Sequence, residues 1–188
     1  AAKHTDQSSE ARKFVRMARN MAEFSRSEVQ HAVWDMQSPL LANADLGTAL
    51  KHVVSQISSE PPEVKVEIVG SPRSLPSSHE HHLLRIAQEA ITNAIKHAEA
   101  RSIQVMLDYS SPEPRLTIQD DGKGFVVSEI KPPGQNGHFG LQGIRARAKK
   151  IEAQIEIASQ IGKGTAITVQ TNLNGNAKNG DSKTQTSS

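Results

Sequence analysis

The longest regular pattern of apolar positions lies near the amino terminus. Residues 11–37 contain neither proline nor glycine, and apolar or small residues recur there at alternating steps of four and three. Such a heptad seam is typical of a long helix that packs against another helix. We favour one helix of an intermolecular bundle over an ordinary core helix, and Pro39 should end it. The seam consists of Ala11, Val15, Ala18, Ala22, Ser25, Val29, Ala32 and Met36.

Shorter patterns predict a mixture of helices and strands after residue 40. Val64, Val66 and Ile68 alternate with charged residues, which predicts a half-buried strand. Similar alternation predicts four more strands, and three stretches with helical spacing separate them. The fold class expected is therefore α+β: a two-layer sandwich of a mixed β-sheet with helices on one face, preceded by the long helix. The later strands contain 103–107, 116–118, 155–157 and 167–169, and the helices lie near 46–57, 77–98 and 141–152.

One of these helices carries a polar stripe. In "RIAQEAITNAIKHAEA", residues 85–100, Glu89, Asn93 and His97 follow one another at steps of four and share one face. Ser77 or Ser78 is the expected N-cap. A carboxylate, a carboxamide and an imidazole aligned on a core helix indicate a functional site. The opposite, apolar face should consist of Leu83, Ala87, Ile91, Ala94, Ile95 and Ala98.

The amino-acid composition limits the kinds of core, partner and metal site that the chain can have. Aromatic residues make up only 3% of the 188 residues, so the core must be built from Leu, Ile, Val and Ala. A net charge of +2 gives no indication of a nucleic-acid or membrane-surface partner, and the lack of cysteine excludes disulfides and thiolate metal sites. No apolar run is long enough to span a bilayer. We expect a soluble, cytoplasmic chain whose parent protein could be membrane-anchored, with disordered tails at 1–10 and 173–188, a helix at 11–40 and one domain at 41–172.

Three glycine-containing motifs follow the polar helix in order. They are "QDDGKGF" at a strand end, "GHFGLQGIRARA" at a helix start and "GKGT" in the last hairpin. Each is weak alone, but together they indicate a nucleotide site. Gly140 and Gly143 before a helix would expose N–H groups to phosphates. Asp120 could accept a hydrogen bond from an exocyclic amine, and Asn93 could ligate Mg²⁺ through its carbonyl oxygen.

The order of these motifs resembles the catalytic, ATP-binding domain of two-component sensor histidine kinases. "EAITNAIKHA" is similar to the N box of that family, "DDGKGF" to its G1 box, "GHFGLQGIRARA" to its G2 box, and "GKGTAITV" to its closing strand pair. "VWDMQSPLLANADLGTAL" fits the junction behind the second dimerisation helix of the nitrate-sensor-like subfamily. The resemblance covers residues 11–170 and implies ATP and Mg²⁺ as cofactors.

The resemblance also assigns roles to residues. Asn93 would be the metal ligand, and Glu89 would be catalytic, assisting at a metal-bound water or at the phosphoacceptor. Asp120 would bind the adenine amino group, with Thr165 completing the contact through water. Residues 126–139 would form a mobile lid over ATP. The full set of implied cofactor-binding residues is Asn93, Lys96, His97, Asp120, Gly122, Gly124, Gly140, Leu141, Gly143 and Thr165.

The partners implied are the phosphoacceptor domain of the same or the paired subunit, a response regulator, and a second copy in the intact homodimer. The subfamily's Leu-His-Asp phosphoacceptor box is not in the sequence, so we expect ATP binding without autophosphorylation. Two alternatives stay open: a related ATPase or anti-sigma-type serine kinase, and a dimerising module with a vestigial nucleotide site. The heptad helix argues against the first, and intact Asn93 and Asp120 argue against the second.

Overall fold

The structure of the chain is a computed structural model. It describes residues 44–57, 61–129 and 139–173, together with Glu10, Phe14, Val15, Ala18 and Ala22. Apart from Phe14, Val15, Ala18 and Ala22, which are helical and exposed, the predicted heptad helix lies outside the described residues. The predicted tails also lie outside them except for Glu10 and Leu173. The intermolecular bundle therefore stays a prediction.

Within residues 44–57, 61–129 and 139–173, the domain consists of three α-helices, two short helical turns and a five-stranded sheet. Helix α1 spans Leu46–Ile57, α2 spans Ser77–Asn93 and α3 spans Phe139–Lys150. In the sheet, β1 and β2 are parallel and all other neighbours are antiparallel, in the order β1-β2-β3-β5-β4. The predicted mixed sheet is therefore confirmed. The strands are β1 at Glu63–Val69, β2 at Ser102–Asp108, β3 at Arg115–Asp120, β4 at Gln154–Ser159 and β5 at Thr165–Gln170.

The core lies between one face of the sheet and the helices. Alternate residues of the central strands point into it, because successive side chains of a strand lie on opposite faces. In β2, Ile103, Val105 and Leu107 are buried, whereas Ser102 and Gln104 are exposed. None of the helices within the described ranges is long and apolar enough to cross a membrane.

Helix α2 departs from the sequence prediction at both ends. Neither Ser77 nor Ser78 is the N-cap: the cap position is Pro76, and no side chain caps the helix, so both serines already lie within its first turn. At the other end, the helix widens into a π-helical turn at Ala94–Ala98. Because a π-turn takes more residues per turn than an α-helix, the faces shift beyond Asn93. Ile95, predicted to be buried, is therefore 39% exposed.

Two histidines at the start of α2 are shielded from solvent to different degrees: His79 is buried and His82 is half-buried. His79 is only 6% exposed, and burial lowers its pKa below the ordinary value of 6.5, although the charge of Glu152 opposes this. Burial also lowers the pKa of His82, and the neighbouring basic groups of His81, Lys150, Arg147 and His79 lower it further. Both rings therefore favour the neutral form in the folded domain.

We expect the two histidines to make the domain less stable in acid. Below pH 6.5 the unfolded chain takes up protons that the folded chain resists, so the free energy of unfolding falls as pH is lowered. Replacing His79 and His82 by glutamine should reduce the loss of melting temperature between about pH 8 and about pH 5.5. Thermal melts of the two proteins test this, with His52→Gln on the exposed face of α1 as the control. An unchanged pH dependence in the double variant would contradict it.

Candidate nucleotide-binding site

An open cavity of about 410 Å³ lies where the end of α2, the loop after β3, strand β5 and the start of α3 meet. Its volume is in the range of small-molecule sites. Three of the predicted site residues, Glu89, Gly122 and Gly143, do not line it. The predicted residues that do are Asn93, Lys96, His97, Asp120, Gly124, Gly140, Leu141 and Thr165.

Asp120 is the buried carboxylate of this cavity. It ends β3 and is only 7% exposed. One carboxylate oxygen accepts a hydrogen bond from the N–H of Gly122 at 2.9 Å, and Thr165 donates to the carboxylate through its N–H and its hydroxyl. Burial raises the pKa of Asp120, while these hydrogen bonds oppose the rise. The site therefore presents a largely desolvated hydrogen-bond acceptor to the cavity.

The loop after Asp120 packs closely against its neighbours, which explains two of its glycines. A Cβ atom on Gly122 would overlap the carbonyl oxygen of Ala98, and one on Gly124 would overlap that of Gln160. Gly124 also has a φ of +59°, in the left-handed region that side chains disfavour. Gly122 thus shapes the cavity from behind, by holding the loop against the π-turn, and only Gly124 faces the cavity itself.

The far wall is held by a serine that sequence reasoning did not single out. Ser159, the last residue of β4, accepts a hydrogen bond from the N–H of Phe125 at 2.9 Å. Its hydroxyl also lies 3.0 Å from the carbonyl oxygen of Gly164 and 3.1 Å from the hydroxyl of Thr165. Ser159 therefore connects the β3 loop with the β4–β5 turn.

The opposite end of the cavity is formed by α2 and the start of α3. Asn93 donates from Nδ2 to Glu89 Oε1 at 3.3 Å, which fixes the carboxamide, so its Oδ1 is the atom that could ligate a cation. A Cβ on Gly140 would overlap Glu89 Oε1 and lie 2.7 Å from Asn93 Nδ2. Glycine at this position therefore lets the first turn of α3 approach the pair. The Glu89 carboxylate lies at the positive end of α3, where a negative charge is favourable.

Gly143 does not expose its N–H as predicted. Helix α3 begins at Phe139, not at Leu141, so Gly140 lies in its first turn and Gly143 lies one turn further. Beyond the first four residues of a helix, N–H groups are committed to internal hydrogen bonds. A Cβ atom on Gly143 would lie 2.8 Å from Arg147 Nη1. Only the first turn can offer N–H groups to a ligand.

Three basic side chains lie around the mouth of the cavity. Lys96 and His97 project from the π-turn and are exposed, and Lys123 lies in the β3 loop. Lys123 pairs with Glu99 at 2.7 Å, and its backbone N–H donates to Ala98 at 2.7 Å. Sequence reasoning missed Lys123 and Phe125 as lining residues. Both lie inside the quoted "DDGKGF" motif, so their position beside the predicted glycines was the available signal.

A magnesium ion fits these residues only if a bound molecule supplies most of the oxygen atoms that coordinate it. Among the residues that the structure describes, no three His, Cys, Asp or Glu side chains are grouped as a metal site. Asn93 Oδ1 offers one neutral oxygen, and Mg²⁺ commonly takes one or two protein ligands plus phosphate oxygens and water. The residues present thus fit an ion carried by phosphates. The predicted lid, residues 126–139, lies largely outside the described residues, at 130–138.

Comparison with known proteins agrees with this geometry. Residues 78–175 match the family of histidine kinase-, DNA gyrase B- and HSP90-like ATPases. The chain is similar to the sensor histidine kinase LiaS of Bacillus subtilis, with 28% identity over 158 residues, covering 84% of this chain and 42% of that protein. It is also similar to the histidine-protein kinase/phosphatase DegS of Brevibacillus brevis, with 30% identity over 161 residues, covering 85% and 41%.

Among solved structures, the Acinetobacter baumannii histidine kinase AdeS has a similar fold, with a TM-score of 0.58 and 18% identity over 82% of this chain and 83% of that one. This likeness establishes the α+β fold. The chain spans 42% and 41% of the lengths of the two relatives named above, so each of them contains much that lies beyond the matched part.

Proposed function

Because the chain belongs to the family of histidine kinase-, DNA gyrase B- and HSP90-like ATPases, we propose that its cavity holds Mg-ATP and presents the γ-phosphoryl group to a protein histidine. Membership of this family implies ATP binding. The metal ion, the residue roles and the acceptor are our proposal. The single observation that carries it is Asp120, a buried carboxylate facing a cavity that is open to a ligand.

The purine would lie at the Asp120 end. An exocyclic amine donates to the carboxylate, which already receives donors from Gly122 and Thr165 and has further acceptor capacity. The ring would pack on the apolar part of the lining, supplied by Ala94, Ala98 and Ile167. Guanine would instead present its carbonyl oxygen to Asp120, leaving a buried acceptor unpaired. Such a group costs about 1–3 kcal/mol, so adenine should be preferred by about tenfold or more.

The phosphates would lie between the π-turn and the first turn of α3. Lys96 would supply positive charge and His97 a ring N–H donor, and the N–H groups near Gly140 lie at the positive end of the helix. Asn93 Oδ1 would hold the magnesium ion, whose chemistry when bound is to neutralise phosphate charge. Glu89, which accepts the Asn93 amide hydrogen, would orient that ligand. Leu141 would pack beside the phosphate end.

The similar proteins suggest the reaction. LiaS and DegS are named as histidine kinases, and we infer that this domain transfers phosphoryl groups in the same kind of protein. Transfer would proceed to a histidine of a phosphoacceptor domain in the same or the paired subunit, and from there to an aspartate of a response regulator. Phosphoryl transfer depends mainly on positioning and charge neutralisation, which this cavity is built to supply. The long amino-terminal helix would join a second copy in the homodimer.

Calorimetric titration of the domain with Mg-ATP and with Mg-GTP tests the binding half of the proposal. Saturable binding of Mg-ATP, with Mg-GTP weaker, is the expected result. The transfer half is tested by incubating a longer parent protein with ATP labelled at the γ-phosphate, where an acid-labile label on histidine is expected. A domain that binds neither nucleotide would overturn the proposal, and an acid-stable label would point to a serine kinase.

Replacing Asn93 by alanine should weaken nucleotide binding mainly when Mg²⁺ is present. The variant removes the proposed metal ligand, together with the hydrogen bond that Asn93 donates to Glu89. We expect ATP affinity to fall by about tenfold to a hundredfold with Mg²⁺ and much less in EDTA. Titrations under both conditions measure the difference, and Thr92→Ala, one residue earlier on α2 and outside the cavity lining, is the control. Equal losses under both conditions would assign Asn93 a structural role only.

A further inference from the structure

Ser159 stands in a row of three polar side chains that crosses three strands. It is the register partner of Thr165 on β5, and Thr165 is in turn the register partner of Asp120 on β3. Directly opposed residues of antiparallel strands share one face of the sheet. The row therefore leads from the edge strand β4 to the carboxylate in the cavity, and its first member, Ser159, is not itself part of the cavity lining.

The hydroxyl of Ser159 contacts three groups around the cavity. Its oxygen accepts a hydrogen bond from the N–H of Phe125 at 2.9 Å, and its single hydrogen is donated to the carbonyl oxygen of Gly164 at 3.0 Å. The Thr165 hydroxyl lies 3.1 Å from the same Ser159 oxygen, and Thr165 is the register partner of Asp120. Ser159 thus reaches Asp120 through Thr165.

The other partner of Ser159 is also part of the cavity. Phe125 lines it, and the Phe125 N–H belongs to a loop residue with no strand neighbour. Only two further bonds are described between this loop and the β4–β5 turn or the π-turn: Gly162 N–H to the Lys123 carbonyl at 2.7 Å and Lys123 N–H to Ala98 at 2.7 Å. Both involve Lys123. Ser159 therefore holds the last part of the loop, where Gly124 and Phe125 face the ligand.

We propose that Ser159 is a positioning residue for nucleotide recognition, which fixes Phe125 and directs Thr165 at Asp120 without touching the ligand. The proposal rests on the nucleotide-binding function proposed above. Without the hydroxyl, the Phe125 N–H loses its acceptor and the wall of the cavity is no longer fixed. The Thr165 hydroxyl is then free to turn towards the unpaired carbonyl of Gly164. Both changes lower the affinity for ATP and its advantage over GTP.

Substitution by threonine and by valine provides the sharpest test, because the two side chains have nearly the same shape and both suit a strand. Ser159→Thr keeps the hydroxyl and should retain ATP affinity to within about threefold. Ser159→Val should weaken ATP binding by roughly tenfold and reduce the ratio of ATP to GTP affinity, since one unpaired buried group carries a cost of this size. Thermal melts of both variants check that the domain is folded.

Thr168→Ala is the matched control. Thr168 lies on β5 like Thr165, and its hydroxyl meets that of Thr117 across the sheet at 3.5 Å, but it is not in the cavity lining. Loss of a cross-strand hydroxyl pair as such should leave both affinities unchanged. Equal nucleotide binding by Ser159→Val and Ser159→Thr would overturn the role of Ser159 while leaving the proposed function intact. Failure of the unsubstituted domain to bind ATP would overturn the proposed function, and the positioning role with it.

Discussion

Replacing Asp120 by asparagine is expected to reduce ATP affinity by about a hundredfold while leaving the domain folded. The amide keeps one oxygen for the hydrogen bonds that the structure shows, but its NH₂ group faces the purine amine or one of the existing donors. The variant loses a charge-assisted hydrogen bond and leaves a buried donor unpaired, which together cost about 2–4 kcal/mol. Because the carboxylate is buried, removing its charge also removes a desolvation cost, so the melting temperature should change little.

Binding of GTP distinguishes a loss of adenine recognition from a general loss of nucleotide affinity. Asparagine can donate to a guanine carbonyl, so the variant should bind GTP no worse than the unsubstituted domain does. Asp121→Asn provides the control, because Asp121 is the neighbouring carboxylate but binds the N–H groups of Arg101 and Ser102 at 2.8 and 2.9 Å, outside the cavity lining. Calorimetry of both variants with ATP and GTP measures the outcome. Unchanged ATP affinity in Asp120→Asn would remove the foundation of the proposed function.

The same carboxylate gives the binding a pH dependence with a defined sign. The pKa of Asp120 is raised in the free domain, and an amine donor on the ligand favours the ionised form. ATP affinity should therefore fall as pH is lowered through that raised pKa. ATP also titrates in mild acid, so the quantity to compare is the difference between the unsubstituted domain and Asp120→Asn, in which this part of the pH dependence should be missing.

Gly164→Ala is expected to destabilise the domain by at least about 3 kcal/mol, which lowers the melting temperature of a domain this size by more than about 10 °C. Gly164 has a φ of +74°, and a Cβ there would overlap the carbonyl oxygen of Asp120 and lie 2.8 Å from its carbon. The obstacle is backbone in a central strand, which cannot move without opening the pairing of β3 with β5. The change should therefore also abolish nucleotide binding.

A second glycine in the same turn distinguishes the cost of the left-handed backbone from the cost of the clash with Asp120. Gly162 has a similar φ of +77°, but nothing lies within 4 Å of where its Cβ would be. Gly162→Ala should therefore cost only the left-handed conformation, about 1–2 kcal/mol. Urea unfolding of the two variants measures their free energies of unfolding, which can be compared if the m-value is unchanged. If the two substitutions destabilised the domain equally, close packing against Asp120 would not be the reason for glycine at position 164.

Local periodicity was enough to predict most of the elements. All five strands were predicted from alternation, because each has one face in the core, as with Ile103, Val105 and Leu107. The mixed sheet followed from the combination of helices and hairpins. Spacing failed where the backbone leaves ideal geometry: the π-turn exposed Ile95, and Pro76 replaced the expected serine caps. Sequence periodicity assumes a constant number of residues per turn, so it cannot predict a π-helical turn.

The candidate site was predictable to the extent that its chemistry is carried by motifs. Asp120, Asn93 and the glycine positions came from residue type and order, and most of them do line one cavity. Gly143 was predicted to precede the helix but lies within it, because the helix begins two residues earlier than predicted. Ser159 was missed because nothing local marks it: its importance depends on register with Thr165 and on a bond to Phe125, 34 residues away.

The pairing of β3 with β5 has a consequence for the order in which the domain assembles. The hairpins β2–β3 and β4–β5 each join strands that are near in sequence, whereas β3 and β5 are separated by α3 and must close a long loop, which is slow. Asp120 belongs to the first hairpin, and Thr165 and Ser159 belong to the second. The proposed purine pocket therefore exists only once the two hairpins have paired. We expect a nucleotide bound across this junction to stabilise the completed domain by mass action and to protect the β3–β5 pairing from proteolysis.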